Sequence, residues 1–191
     1  YKKISNVLYE KYVKLEDNLK IKPFLQKASL KAIKQLKKFD LIKNQSFIEF
    51  PKQGFEELNL VTNTIKKLGG GLLLIDYGFL KQKGSNTLQS VKNHKKNMLF
   101  KNIGNADITS LVNFDLLKTY FKTKNLETND VVTQEFFLKK MGIINRAEAL
   151  SKKMNFQEKM EIYYRLQRLL NPKQMGELFK VIFTFKLKNK F

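Results

Sequence analysis

Gly71-Leu72-Leu73-Leu74-Ile75-Asp76-Tyr77-Gly78 is the stretch on which the fold of this chain turns. Its aliphatic run has no polar alternation and is too short for a helix of its own. It reads as a strand buried on both faces, as in a parallel sheet covered by helices. Just upstream, Phe55, Leu58, Val61, Ile65 and Leu68 recur at helical spacing, and Gly69 to Gly71 supply the left-handed stop that such a helix needs. Helix, glycine turn, buried strand and then an acid at the strand's carboxyl end make an α/β arrangement. In open α/β sheets ligands collect at those carboxyl ends. Asp76 and Tyr77 are therefore the first candidate site residues.

Toward the amino terminus, Val7, Tyr9, Tyr12, Val13 and Leu15 alternate loosely, which predicts one or two short strands before Pro23. Leu25, Ala28, Ala32, Leu36 and Phe39 predict a helix of about four turns. Ser46 to Phe50, aromatic and closed by Pro51, predicts a strand. On the other side, Leu80 to Asn105 is polar, lysine-rich and punctuated by glycine, a length that in a compact domain marks a functional lid or disorder. His94 sits in its middle. Asn113 reads as the cap of a helix carrying Leu116, Leu117, Tyr120 and Phe121. A brief strand is expected at Asp130 to Gln134. Three helices follow: from Glu135 to near Gly142, around Ala147, Leu150 and Met154, and from Phe156 to an end at Asn171-Pro172. From Leu178 to Leu187, Phe179, Val181, Phe183 and Phe185 alternate with Lys180, Ile182, Thr184 and Lys186. That period of two predicts a strand, antiparallel to Leu72–Ile75 in one sheet.

Composition narrows the function classes. A chain of 191 residues that is 42% hydrophobic can bury a core and is one domain or part of one. The absence of cysteine excludes a disulfide scaffold, a zinc ribbon, an iron–sulfur site and a thiol nucleophile. One histidine leaves few metal or Ser-His-Asp arrangements, and no metal site is expected. No apolar run approaches the roughly 18 residues of a membrane span, and Tyr1-Lys2-Lys3 opens no apolar signal region. The missing initiator methionine suggests a fragment. The net charge is +20, yet only Arg146, Arg165 and Arg168 among 37 basic residues are arginine, and the lysines are scattered along the chain. Groove readers rely on arginine forks, so a solvated surface is expected and specific nucleic-acid binding is not. Any such affinity should be weak and steeply lost with salt.

Three polar constellations remain: Asp76-Tyr77-Gly78, His94 and Asp107-Ile108-Thr109. Asp76 either orders loop amides or works at a site. His94 is either a loop-packing or a functional histidine. Asp107 with Thr109 reads as an Asx-type turn. Tyr163, Tyr164 and the phenylalanines of the last strand read as core. Gly69 to Gly71 is no phosphate cradle, since it precedes a strand instead of following one and opening a helix.

The order of these elements carries a resemblance. Leu72 to Gly78, then Asn86-Thr87-Leu88 and His94, then Gly104 leading to Asp107-Ile108-Thr109 and Val112-Asn113-Phe114, and finally Met175-Gly176-Glu177-Leu178-Phe179-Lys180-Val181, together resemble the MidA family. These are S-adenosylmethionine-dependent methyltransferases whose mitochondrial members methylate arginine in a subunit of respiratory complex I during its assembly. The resemblance runs from about Ser46 to Phe185, with Tyr9-Glu10-Lys11 to Val13 as a weaker upstream piece. It implies an α/β fold, the C-terminal part of a Rossmann-like class I methyltransferase with additional helices. Residues 1–191 would form a single incomplete domain, because the family's glycine-rich cofactor turn and ribose-binding acid would precede Tyr1.

The implied reaction is an in-line methyl transfer to a guanidinium nitrogen, for which the protein mainly supplies alignment. Asp76 and Tyr77 would border the acceptor site, with His94 and Asp107 on a covering loop. S-adenosylmethionine is the implied cofactor, not expected to bind this chain alone. The implied partners are an arginine-bearing protein substrate and the missing half. The implied location is the cytoplasm in a bacterium or the mitochondrial matrix in a eukaryote. The chain departs from the family's usual Gly-Thr-Leu at Asn86, from an aromatic at Val91, from a second histidine at Leu111 and from an aspartate at Asn113. Two other readings stay open: a degenerate, inactive fragment that at most binds a protein, and a lysine-rich nonspecific nucleic-acid-binding protein.

Overall fold

The computed structural model describes residues 1–17, 20–43, 46–80 and 86–187. In chain order the described elements are β1 (Lys2–Ile4), β2 (Val7–Leu15), β3 (Ile21–Lys27), α1 (Leu30–Lys38), α2 (Lys52–Leu68) and β4 (Gly70–Phe79). Then come β5 (Gln89–Lys92), β6 (Lys95–Asn97), β7 (Asp107–Thr109), β8 (Val112–Asn113), α3 (Phe114–Thr123), β9 (Glu127–Thr128) and β10 (Val132–Thr133). The chain closes with α4 (Gln134–Lys140), α5 (Ile143–Ser151), α6 (Phe156–Leu170), α7 (Met175–Leu178) and β11 (Phe179–Lys186). It divides into two compact units, Tyr1–Asn59 with Gln82–Leu111, and Leu60–Lys81 with Val112–Phe191.

In the first unit β1, β2 and β3 form an antiparallel sheet with β2 central. Ser5 and Asn6, at φ 46° and 62°, make the left-handed two-residue turn between β1 and β2. The helix expected from Leu25 to Phe39 is a correction. Residues 21–27 pair with β2 from Leu15↔Ile21 to Tyr9↔Lys27, and the helix starts only at Leu30, where the Ser29 hydroxyl accepts from Ala32 N at 3.2 Å. Pro23 misled because it reads as a breaker, whereas on an edge strand its missing N–H costs no ladder bond. Ser46 to Phe50 is a second correction, since among the described residues its strand pairing is a single bridge between Phe47 and Lys2. Phe50 instead closes an aromatic cluster with Phe39 and Phe55, at centroid distances of 5.2–5.8 Å.

The long connection is no structureless lid either. Its residues 81–85 lie outside the described ones; beyond them β5 and β6 form a hairpin, and β7 pairs with the other side of β5. Asp107-Ile108-Thr109 is thus a strand and not an Asx turn. Asn97 knits the stretch after the hairpin, its amide donating to Ser90 Oγ at 3.0 Å and to the Lys101 carbonyl at 2.7 Å.

In the second unit the strand order is β10-β11-β4-β8, with β9 also on β11. β11 runs antiparallel to β4 from Phe179↔Tyr77 to Lys186↔Gly70, as expected. β8 lies parallel to β4 but only at Gly78 and Phe79. α3 packs on this sheet, beginning where Asn113 Oδ1 accepts from Leu116 N at 3.0 Å. Phe114, Leu117 and Phe121 of α3 are buried, as are Ile182 and Thr184 of β11. The expected strand at Asp130 to Gln134 shrinks to Val132–Thr133, because Thr133 caps α4 and Gln134 already lies in the helix. α6 opens with a reciprocal cap between Asn155 and Glu158 at 2.9–3.0 Å.

Two burial expectations fail. Leu73 is 44% and Ile75 40% exposed, so β4 is covered on one face and not on both. Its uncovered face continues onto Phe183, which stacks on Phe185 and is not core. Tyr163 and Tyr164 are likewise exposed, because α6 turns them outward, where the phenol tip is solvated.

Candidate functional site

Asp76, Tyr77 and Gly78 stand at the carboxyl end of β4, as their place in the sequence predicts. Asp76 is exposed, and its Oδ1 accepts from Tyr77 N at 2.7 Å, which turns the carboxylate along the strand. The Tyr77 ring lies against Phe179, its antiparallel partner, with centroids 4.0 Å apart. Gly78 is glycine for packing reasons: a Cβ there would meet the Val112 carbonyl oxygen at 2.4 Å and the Phe114 ring at 2.5 Å.

His94 and Asp107 belong to the other unit. His94 is exposed and shares the tip of the β5–β6 hairpin with Asn93, both at positive φ, 61° and 49°. That is the geometry of a tight two-residue hairpin turn. Asp107 is exposed and pairs with Val91, near the tip end of β5, while Thr109 pairs with Gln89 at the far end.

A polar cluster that the sequence gives little sign of lies in the same unit. Glu49 Oε1 accepts from Thr87 N at 2.9 Å and Leu88 N at 3.2 Å, while its Oε2 accepts from Thr87 Oγ1 at 2.7 Å. Thr87 Oγ1 in turn accepts from Leu111 N at 3.0 Å. One carboxylate and one hydroxyl thus tie together the two ends of the segment that carries His94 and Asp107. Asn86-Thr87-Leu88 was visible as a motif, but nothing local marks Glu49 as its partner. Charge-assisted bonds of this kind are worth about 1.5–3 kcal/mol. Glu49→Gln should cost the first unit about that much in denaturant unfolding, because an amide cannot accept all three donors. Thr87→Ser should be nearly silent and Thr87→Val should match the Glu49 loss; a silent Glu49→Gln would show that the clamp is dispensable.

A second carboxylate, Glu10, sits between Lys52 and the Tyr1 hydroxyl, which donates at 3.2 Å. Burial pushes its pKa up, but donors from Lys52, Tyr12 and Tyr1 outweigh that and hold the carboxyl below its usual range. The same bond raises the Lys52 ammonium above its ordinary value. This pair holds α2 to β2 and leaves no free base.

A cavity of about 480 Å³ lies among α4, α5 and α6, lined by Lys139, Ile144, Tyr163, Leu166 and Leu170. None of the four candidate residues lines it. Gln134, buried at the start of α4, donates to the Leu169 carbonyl at 3.0 Å and ties α4 to α6. Among the described residues no group of three His, Cys, Asp or Glu is placed to hold a metal ion.

The glycines decide whether S-adenosylmethionine fits here. A glycine turn that holds such a cofactor follows a strand and opens a helix, so that backbone amides approach the ligand. Gly69 and Gly70, at φ 78° and 107°, do the reverse: they end α2 and open β4. Gly71 lies under the Phe183 ring, whose atoms would stand 2.8 Å from a Cβ, and Gly78 is filled by Val112 and Phe114. Among the described residues, these glycines do not form such a turn.

Comparison with known proteins places the chain. The profile of the family described as "Putative S-adenosyl-L-methionine-dependent methyltransferase" matches residues 3–132. The protein arginine methyltransferase NDUFAF7, mitochondrial, of Xenopus laevis is 32% identical over 117 residues, 61% of this chain and 26% of that protein. The homologue of Drosophila melanogaster is 29% identical over 142 residues, 74% of this chain and 32% of that protein. A crystal structure of a COG1565 superfamily protein from Burkholderia thailandensis overlays with a TM-score of 0.77 at 21% identity, over 97% of this chain and 50% of its own. A second, bound to S-adenosyl-homocysteine, gives 0.74 over 97% and 49%. These overlays show the α/β methyltransferase fold. The chain spans about a third or less of the curated relatives and half of the solved structures. With its amino-terminal two thirds matched to the family profile, the chain belongs to this family of S-adenosyl-L-methionine-dependent methyltransferases.

Proposed function

We propose that this chain is the acceptor-side part of a protein-arginine methyltransferase whose methyl donor is held by residues outside it. The observation that carries the reading is the continuous family match over residues 3–132 together with relatives named as protein arginine methyltransferases. The placement of Asp76 supports it. An exposed carboxylate at a strand's carboxyl end is suited to take a guanidinium through paired charge-assisted hydrogen bonds. Tyr77, backed by Phe179, gives a rigid aromatic wall beside that carboxylate. His94 and Asp107 are kept as candidate residues on the segment whose two ends are tied through Glu49 and Thr87. The substrate is an arginine side chain of a protein, and in a eukaryotic cell the place of action is the mitochondrion, in keeping with the names of the relatives.

No step of the methyl transfer is routed through this chain's glycines, because their geometry gives the donor no cradle. The chain alone should therefore bind no S-adenosylmethionine, and calorimetric titration of the cofactor into it should give no saturable heat. Micromolar binding would overturn the assignment of the donor to residues outside this chain. In an enzyme completed by the other half, transfer of labelled methyl to an arginine peptide should be lost in Asp76→Asn. Undiminished transfer would remove Asp76 from the acceptor site.

A further inference from the structure

The motif Met175-Gly176-Glu177-Leu178-Phe179-Lys180 carries a cation to the same strand end as Asp76. Gly176 fixes where β11 begins. It is buried against the end of α6, where a Cβ would meet the Leu170 carbonyl oxygen at 2.3 Å, and its N–H donates to the Asn171 carbonyl at 3.1 Å. From that anchor α7 leads into β11 with Phe179 opposite Tyr77 and Lys180 opposite Asp76. Thr133 of β10 lies opposite Lys180 on the other side, so the lysine's backbone is held from both directions. Residues directly opposite on neighbouring strands share a face of the sheet and lie within reach of each other, because strands run about 4.8 Å apart.

Opposite charges in that position ordinarily pair. Here each is engaged by backbone instead. Lys180 Nζ donates to the Glu177 carbonyl at the end of α7, and Asp76 Oδ1 accepts from Tyr77 N at 2.7 Å. Among the described residues neither side chain belongs to an ion pair. By contrast Lys14 and Lys22, opposite each other on β2 and β3, share Glu16 at 3.5 and 3.6 Å. The strand end therefore offers a carboxylate and an ammonium side by side that do not neutralise each other. A lone guanidinium on Asp76 would be repelled by Lys180, whereas a ligand with a carboxylate beside its guanidinium complements both charges.

We propose that Lys180 is a specificity-determining residue of the acceptor site, and that it selects an arginine with an acidic residue two positions away in the substrate chain. The inference rests on the reading of Asp76 as the group that takes the guanidinium. The spacing follows from an extended substrate, in which neighbouring side chains point to opposite sides and those two apart point to the same side, about 7 Å from each other. The Lys180 ammonium has three donors, so it can keep the Glu177 carbonyl and still take a carboxylate.

The test titrates two blocked peptides into the chain and follows the Asp76 carboxyl and the Lys180 ammonium by nuclear magnetic resonance. One is acetyl-Ala-Glu-Ala-Arg-Ala-amide, and the other has glutamine in place of glutamate. The glutamate peptide should bind ~5-fold more tightly, a margin that shrinks with salt. Lys180→Met, which keeps the length of the side chain, should bind the two equally, and Lys180→Arg should restore the preference. Equal affinities in the parent chain overturn the inference, and so does a preference that survives in Lys180→Met. Asp76→Asn separates this from the functional reading. If arginine binding is lost in that variant while glutamate adds nothing in the parent, the reading stands and the inference falls. If neither peptide disturbs Asp76 in the parent, the reading falls and takes the inference with it.

Discussion

Ile182→Asp should abolish cooperative folding of the unit that carries β4 and β11, whereas Leu73→Asp in the neighbouring strand should leave that unit folded. Ile182 is 1% exposed and pairs with Leu74, on the sheet face that α3 covers. An unpaired carboxylate there costs several kcal/mol, against a total stability of about 5–15 kcal/mol for a typical domain. Leu73 points to the opposite face, where water already reaches it, so an aspartate should shift stability by no more than about 1 kcal/mol. Circular dichroism during heating separates the two. If the variants lost stability equally, β4 would be covered on both faces; if both were silent, the α3-facing side would not be core.

Gly78→Ala should be the most damaging single-methyl change at the candidate site. The new Cβ would stand 2.4 Å from the Val112 carbonyl oxygen and 2.5 Å from the Phe114 ring. The first obstacle is backbone and the second is a fully buried side chain, so neither can swing away. Relief requires β8 to move off β4, and β8 carries the Asn113 cap of α3. Overpacking of this kind costs about 1–3 kcal/mol, and a displaced cap adds about 1 kcal/mol. Gly54→Ala is the control: its Cβ would meet only the Pro51 Cβ, at 3.5 Å, inside α2, and should stabilise by about 0.5–1 kcal/mol. Denaturant midpoints read both. A neutral Gly78→Ala would mean that β8 does not press on β4 and that the glycine needs another explanation.

Features written in a few adjacent residues were legible in the sequence. The Asn113 cap, the glycine end of α2 and the alternation of β11 each depend on contacts within a turn or on period alone. Asp76 and Tyr77 were legible for the same reason, because the end of a strand is a local fact and strand ends are where α/β sheets place ligands. The hairpin tip at Asn93-His94 was legible in principle, since two residues that tolerate left-handed backbone between short polar strands are a turn signal.

What the sequence determined by itself was therefore helix α2 with the strand that follows it, the last strand, the α/β class and the strand end that bears the carboxylate. Tertiary structure alone decided three things. It made residues 21–27 a strand, because pairing with β2 outweighed the helical spacing that begins at Leu25. It joined Glu49 to Thr87 across 38 residues, a bond that no local propensity encodes. It left Leu73 and Ile75 open to water, because hydrophobicity states that a side chain gains by burial but not which surface will cover it.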